Sequence, residues 1–400
     1  MNFSDLKLLE GFTALDLTDL RGQFCGKCLQ NLGMEVIKIE PPGGDPVRRI
    51  GPFKDNRPGL ETSLRFAYLN AGKKSVTLDL DTPQGKELFL RLVEKADVVI
   101  ESFDPGVMEA KGLGPDVLRK RNPKLVVTSV TAFGQNGPYR DFLAPHLVAF
   151  AMGGLMFIAG DPNAAPVNAP ETQGFYYSSI YAALGTLVAL WRCGEEGRGD
   201  HVDVAVQEAL ATQEHLIRIF GSINKNITRQ GSQHPYAAPS NLFPTKDVYV
   251  FLFVSRVHWR KFLNMWPNHP PDFDNPEWEP DIVRRQHVER VNAEISTFTK
   301  QFTKEEFALL LQKNGIPCLP MNVPSEFARD EQIQARELLQ PVEHPHLGSY
   351  EHIAFPLLMD GLRAQVTAPP TLGHHTAPVL TEWLALSPKD LTMLYAERVI

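Results

Sequence analysis

The stretch ALDLTDLRGQFCGKCLQNLGMEVIKIE, Ala14–Glu40, decides the fold. It opens with a short apolar run typical of a buried strand, and Gln23–Leu32 has the apolar spacing of a helix. Gly33 stands where that helix should stop, and Glu35–Glu40 is again rich in β-branched residues. A strand, a helix and a second strand in close succession predict a βαβ unit with parallel strands.

The same alternation continues along the first half of the chain. Strand patterns begin at Ser75 (SVTLDLD), Ala96 (ADVVIESF) and Lys124 (KLVVTSVTAFG). Between them, Thr82-Pro83 opens one helical pattern, and a second surrounds Asp116–Arg121. Strands separated by helices predict an α/β protein whose parallel sheet is covered on both faces.

The second half changes character near residue 225. Before that point, the apolar run that follows Phe175 predicts a buried helix of about four turns rather than a membrane span, and GDHVDVAVQEAL continues as a strand and a helix. Residues 225–330 hold one clear strand, VYVFLFV, and helical patterns at Ile282–Thr299 and Lys304–Asn314, which indicates a smaller domain. The last residues return to short strands and end in a helix from about Pro378.

The composition is that of a globular protein. The 400 residues are 43% hydrophobic and 22% charged, with a formal net charge of −7. An acidic chain disfavours nucleic acid as a partner, and no apolar run has the length of a membrane span. Four cysteines and an N-terminus without a signal-peptide core predict a reduced, cytoplasmic environment.

Most common catalytic motifs are absent from the sequence. There is no GxGxxG after the first strand, no GxxxxGK[ST] and no GxSxG. Cys25-Gly-Lys-Cys28 has the spacing of a redox pair or half a zinc site, but packing of small cysteines between helix and sheet is favoured. His374-His375 has no carboxylate cluster around it, so a structural or helix-capping role is favoured and no metal site is predicted.

Several phrases in register carry a resemblance. These include LDLTDLRGQFCGKCLQNLGMEVIKIEPPGGDPVR, YLNAGKKSVTLDLDTPQGKEL, ADVVIESFDPGVMEAKGLG, NPKLVVTSVTAFGQNGPYRD, GRGDHVDVAVQEA, KNGIPCLPMN and APPTLGHHTAPVL. From about residue 8 to the C-terminus the chain resembles the class III CoA-transferases, the family of formyl-CoA and carnitine CoA-transferases. The resemblance implies a Rossmann-like large domain built from both chain ends, 1–224 and 331–400. It also implies a smaller α+β domain, 225–330, and two subunits interlocked like links of a chain.

The resemblance further implies that CoA or an acyl-CoA binds as a substrate, with no covalently bound cofactor. The residues that match the family's CoA site are Leu20, Arg21, Pro41, Leu78, Asp79, Leu80, Asp81, Ser102 and Phe103. An arginine common in the family is Ala110 here, so Lys111 is expected to substitute for it. A second family arginine is replaced by Phe142.

The largest departure concerns the nucleophile. The family uses an aspartate ten residues before the glycine of the long apolar helix, as a carboxylate that accepts both acyl groups and CoA. Counting back from Gly185 gives Phe175, which follows Gly174. The residue that matches the catalytic histidine of the family's racemases is also different here: it is Pro145, with His146 one position away.

We therefore predict a non-nucleophilic subunit of a heteromeric CoA-transferase, paired with a homologous chain that carries the aspartate. Its reaction would move CoA from a donor such as succinyl-CoA to a carboxylic acid, and an aromatic succinate is one candidate acceptor. One alternative is an active homomeric transferase or racemase that uses Glu171 or Asp161 as a relocated acid. Another is a CoA-thioester-binding protein without turnover. Phe175, Tyr176 and Tyr177 suit an aromatic substrate and core packing equally well.

Overall fold

A computed structural model describes residues 7–212, 222–224 and 228–400. Its central feature is a six-stranded parallel sheet with the strand order β3-β2-β1-β4-β5-β6. The strands are β1 Thr13–Asp16, β2 Glu35–Glu40, β3 Lys74–Thr77, β4 Val98–Glu101, β5 Val126–Thr131 and β6 His201–Ala205. The direction of progression reverses between β1 and β4, where an open sheet of this kind forms its ligand crevice.

Helices connect the strands and cover both faces, as predicted. In this part of the chain they are α1 Gln23–Asn31, α2 Leu64–Asn70, α3 Pro83–Val93, α4 Val107–Ala110, α5 Pro115–Arg121, α6 His146–Met152, α7 Leu155–Ile158, α8 Gln173–Glu196 and α9 Val206–Ala211. The C-terminal helices are α16 Thr376–Leu384 and α17 Pro388–Ala396. One face buries apolar side chains of α3, α16 and α17, and the other buries those of α1 and α8.

The cysteine pair belongs to the second of these cores. Cys25 and Cys28 of α1 are buried against β1, β2 and β4 beside alanines of α8. Burial raises the pKa of both thiols, that of Cys28 to about 12, so neither forms a reactive thiolate at neutral pH. The packing interpretation of the CxxC motif is therefore confirmed.

Buried ion pairs hold the N-terminal βαβ unit together. The Lys73 ammonium is 2.7 Å from an Asp16 carboxylate oxygen at the end of β1. Burial alone would raise the pKa of Asp16, but the Lys73 and Lys38 ammonium groups outweigh it and hold that pKa below its usual value. Arg48 donates to both carboxylate oxygens of Glu40 at the end of β2. These pairs fix the strand ends from which the ligand crevice is built.

The C-terminal segment covers the edge strand β3. The His375 amide donates to Ser75 O, and the Ser75 amide donates to His375 Nδ1. Two residues further along β3, the Thr77 amide donates to Thr376 Oγ1. These bonds satisfy the open edge of the sheet and confirm a structural role for His375.

The described chain divides into two compact units. The larger comprises 7–156, 168–212, 222–224 and 332–400, and the smaller comprises 157–167 together with 228–331. The segment 157–167 belongs to the smaller unit because Arg229 donates to the carbonyls of Phe157 and Asp161. In the larger unit, the hairpin of β10 Leu339–His344 and β11 Gly348–Ile353 precedes the C-terminal helices.

The smaller unit has its own sheet and core. Its strands are β7 Ser240–Pro244, β8 Tyr249–Phe253 and β9 Cys318–Pro320, all antiparallel. Its helices are α10 Arg256–Met265, α11 Asp281–Gln286, α12 Val288–Thr299, α13 Lys304–Lys313 and α14 Pro324–Phe327, and α15 Glu331–Ala335 follows at the boundary. The core is aromatic, with Trp259 and Phe262 fully buried.

Several predicted bounds were wrong. Helix α8 has 24 residues, close to seven turns and about 36 Å, and it is not buried all round. The helical pattern at 282–299 is two helices separated at His287, and a second helix follows α16. Strand β3 ends at Thr77, because from Asp79 the chain turns toward α3.

Candidate active site

A cavity of about 300 Å³ lies at the carboxyl ends of β1 to β4. Nine of the ten residues predicted for CoA line it, all except Leu20: Arg21, Pro41, Leu78, Asp79, Leu80, Asp81, Ser102, Phe103 and Lys111. The resemblance implied these residues from five separate places in the sequence, and the fold brings them together because parallel strands end at one edge of the sheet.

The two loops at the reversal point are bonded to each other across the crevice. The Asp19 amide donates to Ser102 Oγ at 2.8 Å, and the Ser102 hydroxyl donates to Asp19 Oδ1 at 2.8 Å. Asp19 follows β1 and Ser102 follows β4, so this reciprocal pair fixes the width of the crevice. It leaves the Phe103 side chain at the wall of the cavity.

Both cations of the cavity are already paired with carboxylates. Arg21 bonds Asp19 and lies 2.7 Å from Asp104, and Lys111 is paired with Asp81. Burial disfavours the charged form of Arg21, but Asp19 and Asp104 outweigh it and raise its pKa. A phosphate that entered this cavity would compete with Asp81 and Asp104 for these cations, which would reduce the net gain from each contact.

Further residues of the cavity were missed from the sequence. The cavity is also lined by Leu17, Asp19, Ile39, Glu40, Asp45 and Pro46. Asp45 caps the short 3-10 turn Pro46–Arg49 by accepting from the Val47 amide. A signal was present, because Asp-Pro after a Gly-Gly pair is typical of a capped turn at a strand end.

Leu20 does not line the cavity, so its place in the CoA site stays a prediction. Its side chain packs instead into the apolar cluster at the start of α8, with Phe175 and Phe150. Between Leu20, Phe24, Phe175 and Tyr176 only a crevice remains, and its accessible volume is about 0 Å³, too little for a water molecule. Leu20 thus closes the space beside Phe175.

Phe175 is a packed core residue. It is 6% exposed, and its cluster also contains Ala149, Val206 and Leu210. The phenyl ring meets the imidazole of His146 edge to face, with the ring centres 5.0 Å apart. No thioester can approach this position without displacing the ring.

His146 caps helix α8. Its Nε2 accepts the Gly174 amide at 2.9 Å, which places the ring proton of the neutral imidazole on Nδ1. Burial lowers the pKa of His146, consistent with a neutral ring. Because the Nε2 lone pair is engaged by the backbone, His146 is not arranged as a general base in this structure.

The two acids considered as replacement nucleophiles are engaged elsewhere. A carboxylate oxygen of Glu171 lies 2.8 Å from Arg65 Nη2, and the side chain is 61% exposed. Asp161 belongs to the smaller unit and accepts the Asn163 amide in an exposed turn. Phe142, at a position where the family has arginine, is 59% exposed and contacts Tyr139, and it does not line the cavity.

Comparison with known proteins identifies the family, since the profile of CoA-transferase family III matches residues 9–376. The chain belongs to CoA-transferase family III. As in that family, its substrates are CoA thioesters, and no bound cofactor takes part. Among the described residues, no cluster of His, Cys, Asp and Glu could hold a metal ion, and no helix could cross a membrane.

The relatives span nearly the whole chain. The succinyl-CoA–D-citramalate CoA-transferase of Chloroflexus aurantiacus is 34% identical over 387 residues, 95% of each chain. Subunit BbsE of the succinyl-CoA:(R)-benzylsuccinate CoA-transferase of Thauera aromatica is 31% identical over 384 residues, 93% of each. A CAIB/BAIF family protein from Brucella suis superposes with a TM-score of 0.85 at 25% identity, covering 95% of this chain and all of that one.

Proposed function

We propose that this chain is the non-nucleophilic subunit of a heteromeric class III CoA-transferase. The proposed enzyme moves CoA from an acyl-CoA such as succinyl-CoA to a carboxylic acid. A homologous chain supplies the aspartate that attacks the thioester. The cavity at the carboxyl ends of β1 to β4 binds CoA in this proposal.

The observation that carries the proposal is the environment of Phe175. A phenyl group has no atom that can attack a thioester or leave from one, whereas a carboxylate does both. Phe175 is 6% exposed and fills the space at its position, and Glu171, the nearest acid along the sequence, forms an ion pair with Arg65. The chain has therefore lost both the nucleophilic group and the room for its reaction.

An unpartnered apolar face supports a partner subunit. Four large side chains repeat along one side of α8, Ile180, Leu184, Val188 and Trp191, and they are 50 to 71% exposed. A contiguous stripe of exposed apolar side chains along one helix is typical of a protein interface. We propose that the homologous subunit covers it, in the interlocked dimer implied by the family, in the cytoplasm.

The printed names of the relatives support the choice of substrates. Succinyl-CoA is named for both the D-citramalate and the benzylsuccinate enzymes, and BbsE is named as a subunit. Both acceptors are dicarboxylic acids. We propose a dicarboxylic acceptor for this chain as well, and an aromatic succinate is one candidate.

The test is activity with and without a partner. The purified chain alone should transfer no CoA from succinyl-CoA to a panel of dicarboxylic acids. Co-expression with a homologue that retains the Gly-Asp step, an aspartate directly after the glycine that matches Gly174, should yield an active complex. Turnover by the chain alone would favour the homomeric alternative with a relocated acid. A pure complex without turnover, but with CoA bound, would favour a binding protein.

A further inference from the structure

A line of hydrogen bonds runs from the wall of the cavity to the surface of the sheet. The Phe103 amide donates to Glu101 Oε2 at 2.8 Å, and Glu101 is in turn bonded to the Ser129 hydroxyl. Ser129 Oγ lies 2.9 Å from His201 Nε2. Glu101 and Ser129 face each other in register on β4 and β5, and both are buried, whereas His201 is exposed.

Glu101 titrates in an unusual range for a carboxyl group. Burial raises its pKa to about 7, and the bonds from Ser129 and from the Phe103 amide only partly offset this. The charged groups that face the line are few. Glu109 and Arg21 act on Glu101, and Asp203, Arg119, Glu109 and Asp116 act on His201.

The line has two consistent proton arrangements. With Glu101 ionised and His201 as the imidazolium, the Ser129 hydroxyl donates to the carboxylate and accepts from His201 Nε2. With Glu101 protonated, the carboxyl donates to Ser129, whose hydroxyl then donates to Nε2 of the neutral imidazole. One proton can thus pass between the buried carboxyl and the exposed histidine by reversing the direction of each bond.

We propose that Glu101 is a positioning residue whose proton is linked to CoA binding: it fixes the Phe103 backbone at the cavity wall and takes up a proton when the anionic ligand enters. The proposal rests on the proposed function, since it requires CoA in this cavity. Ser102 and Phe103 line the cavity, so the phosphates of a CoA bound there would bring negative charge toward Glu101, and a nearby like charge favours the neutral form of a carboxyl group.

The size of the linkage follows from the titration range. At pH 7.5 a carboxyl with a pKa of about 7 is about one quarter protonated. If bound CoA raises that pKa by about one unit, the carboxyl becomes about three quarters protonated. Binding should then take up about half a proton per CoA.

The test measures CoA binding to the purified chain by calorimetry at pH 7.5, in buffers of different ionisation enthalpy. Glu101→Gln keeps the shape and the bond from the Phe103 amide but cannot titrate. It should take up about half a proton less than wild type, because the ionisation of CoA itself is common to both proteins. Glu87→Gln removes an exposed carboxylate from α3 that neither lines the cavity nor acts on Glu101 or His201, and it should behave like wild type.

A second measurement does not depend on the variant. Infrared difference spectra of wild type should gain the carbonyl band of a protonated carboxyl when CoA is added. Equal proton uptake by wild type and Glu101→Gln would overturn this inference while leaving CoA binding intact. Absence of any CoA binding to wild type would remove the proposed site and this inference together.

Discussion

Replacing Phe175 with aspartate places a carboxylate at the position that we propose for the family's nucleophile and tests what the phenyl ring contributes. The ring is 6% exposed inside a cluster with Phe150 and Leu210, so its removal leaves a cavity. Phe→Ala changes at such sites cost about 3–5 kcal/mol. Phe175→Asp should lose at least that much, because it also buries a charged group.

His146 should make the loss depend on pH. The ring centres of Phe175 and His146 are 5.0 Å apart, and a carboxylate at that distance from an imidazolium gains at most about 3 kcal/mol at an effective dielectric constant of about 20, less the bond from the Gly174 amide that Nε2 gives up when it is protonated. Pairing raises the folded-state pKa of the histidine. The ion pair therefore contributes fully to the free energy of unfolding below the pKa of the histidine in the unfolded state. This contribution disappears as the pH rises through the pKa of the histidine in the folded state. Protonation of the new carboxyl also raises the free energy of unfolding at low pH, because a neutral carboxyl is less costly to bury than a charged one.

The assay is urea denaturation at pH 6 and pH 8, with Phe175→Ala as the matched control. Both variants should be destabilised, and only Phe175→Asp should recover part of its loss at pH 6. After incubation with an acyl-CoA, Phe175→Asp alone should carry a covalent CoA or acyl adduct by mass spectrometry. A cost below about 1 kcal/mol for Phe175→Ala would refute the reasoning, because Phe175 would then not be a packed residue.

Four further substitutions test separate parts of the account. Lys111→Ala should weaken CoA binding by about 1 kcal/mol, roughly fivefold, while Asp81→Asn, which frees the same lysine, should strengthen it; unchanged affinities in calorimetry would exclude Lys111 from the site. Lys27 is buried, and its pKa is lowered to about 7 by burial and by Lys73. At neutral pH the unfolded chain carries a charged Lys27, and folding must bury this charge or remove the proton, which costs stability. Lys27→Met should therefore raise the free energy of unfolding at pH 7 by up to about 4 kcal/mol, and the gain should shrink toward pH 10, where the unfolded lysine also loses its proton. An equal gain at both pH values would mean that the lysine charge is not the cause. Glu171→Gln should leave the activity of the heteromeric complex unchanged. Loss of that activity would indicate that Glu171 is the nucleophile.

The sequence predicted the larger unit well because its signals are local. Strand β2 begins and ends at the predicted residues, and Thr82 caps α3 as its Thr-Pro step indicated. Helix α8 was harder, since its apolar residues serve both the core and an exposed face, and composition alone does not separate the two. The break at His287 has no glycine or proline to mark it.

The candidate site was predicted through the resemblance rather than through any compact motif. Its residues come from separate strand ends, and no single stretch identifies them. Ion pairing was not predictable, because Arg21 and Asp104 meet only once β1 and β4 lie side by side. The same holds for the bond between Glu101 and Ser129, which depends on the register of β4 against β5.

The most direct test of the central claim is CoA transfer measured for three preparations: this chain alone, its complex with a homologue that carries the Gly-Asp step, and the same complex with that aspartate of the partner replaced by alanine. The account predicts turnover only for the intact complex, because Phe175 offers no nucleophile. Turnover by this chain alone at more than about 1 per second, an ordinary rate for an enzyme, would contradict it. Undiminished turnover by the complex without the partner's aspartate would contradict it equally.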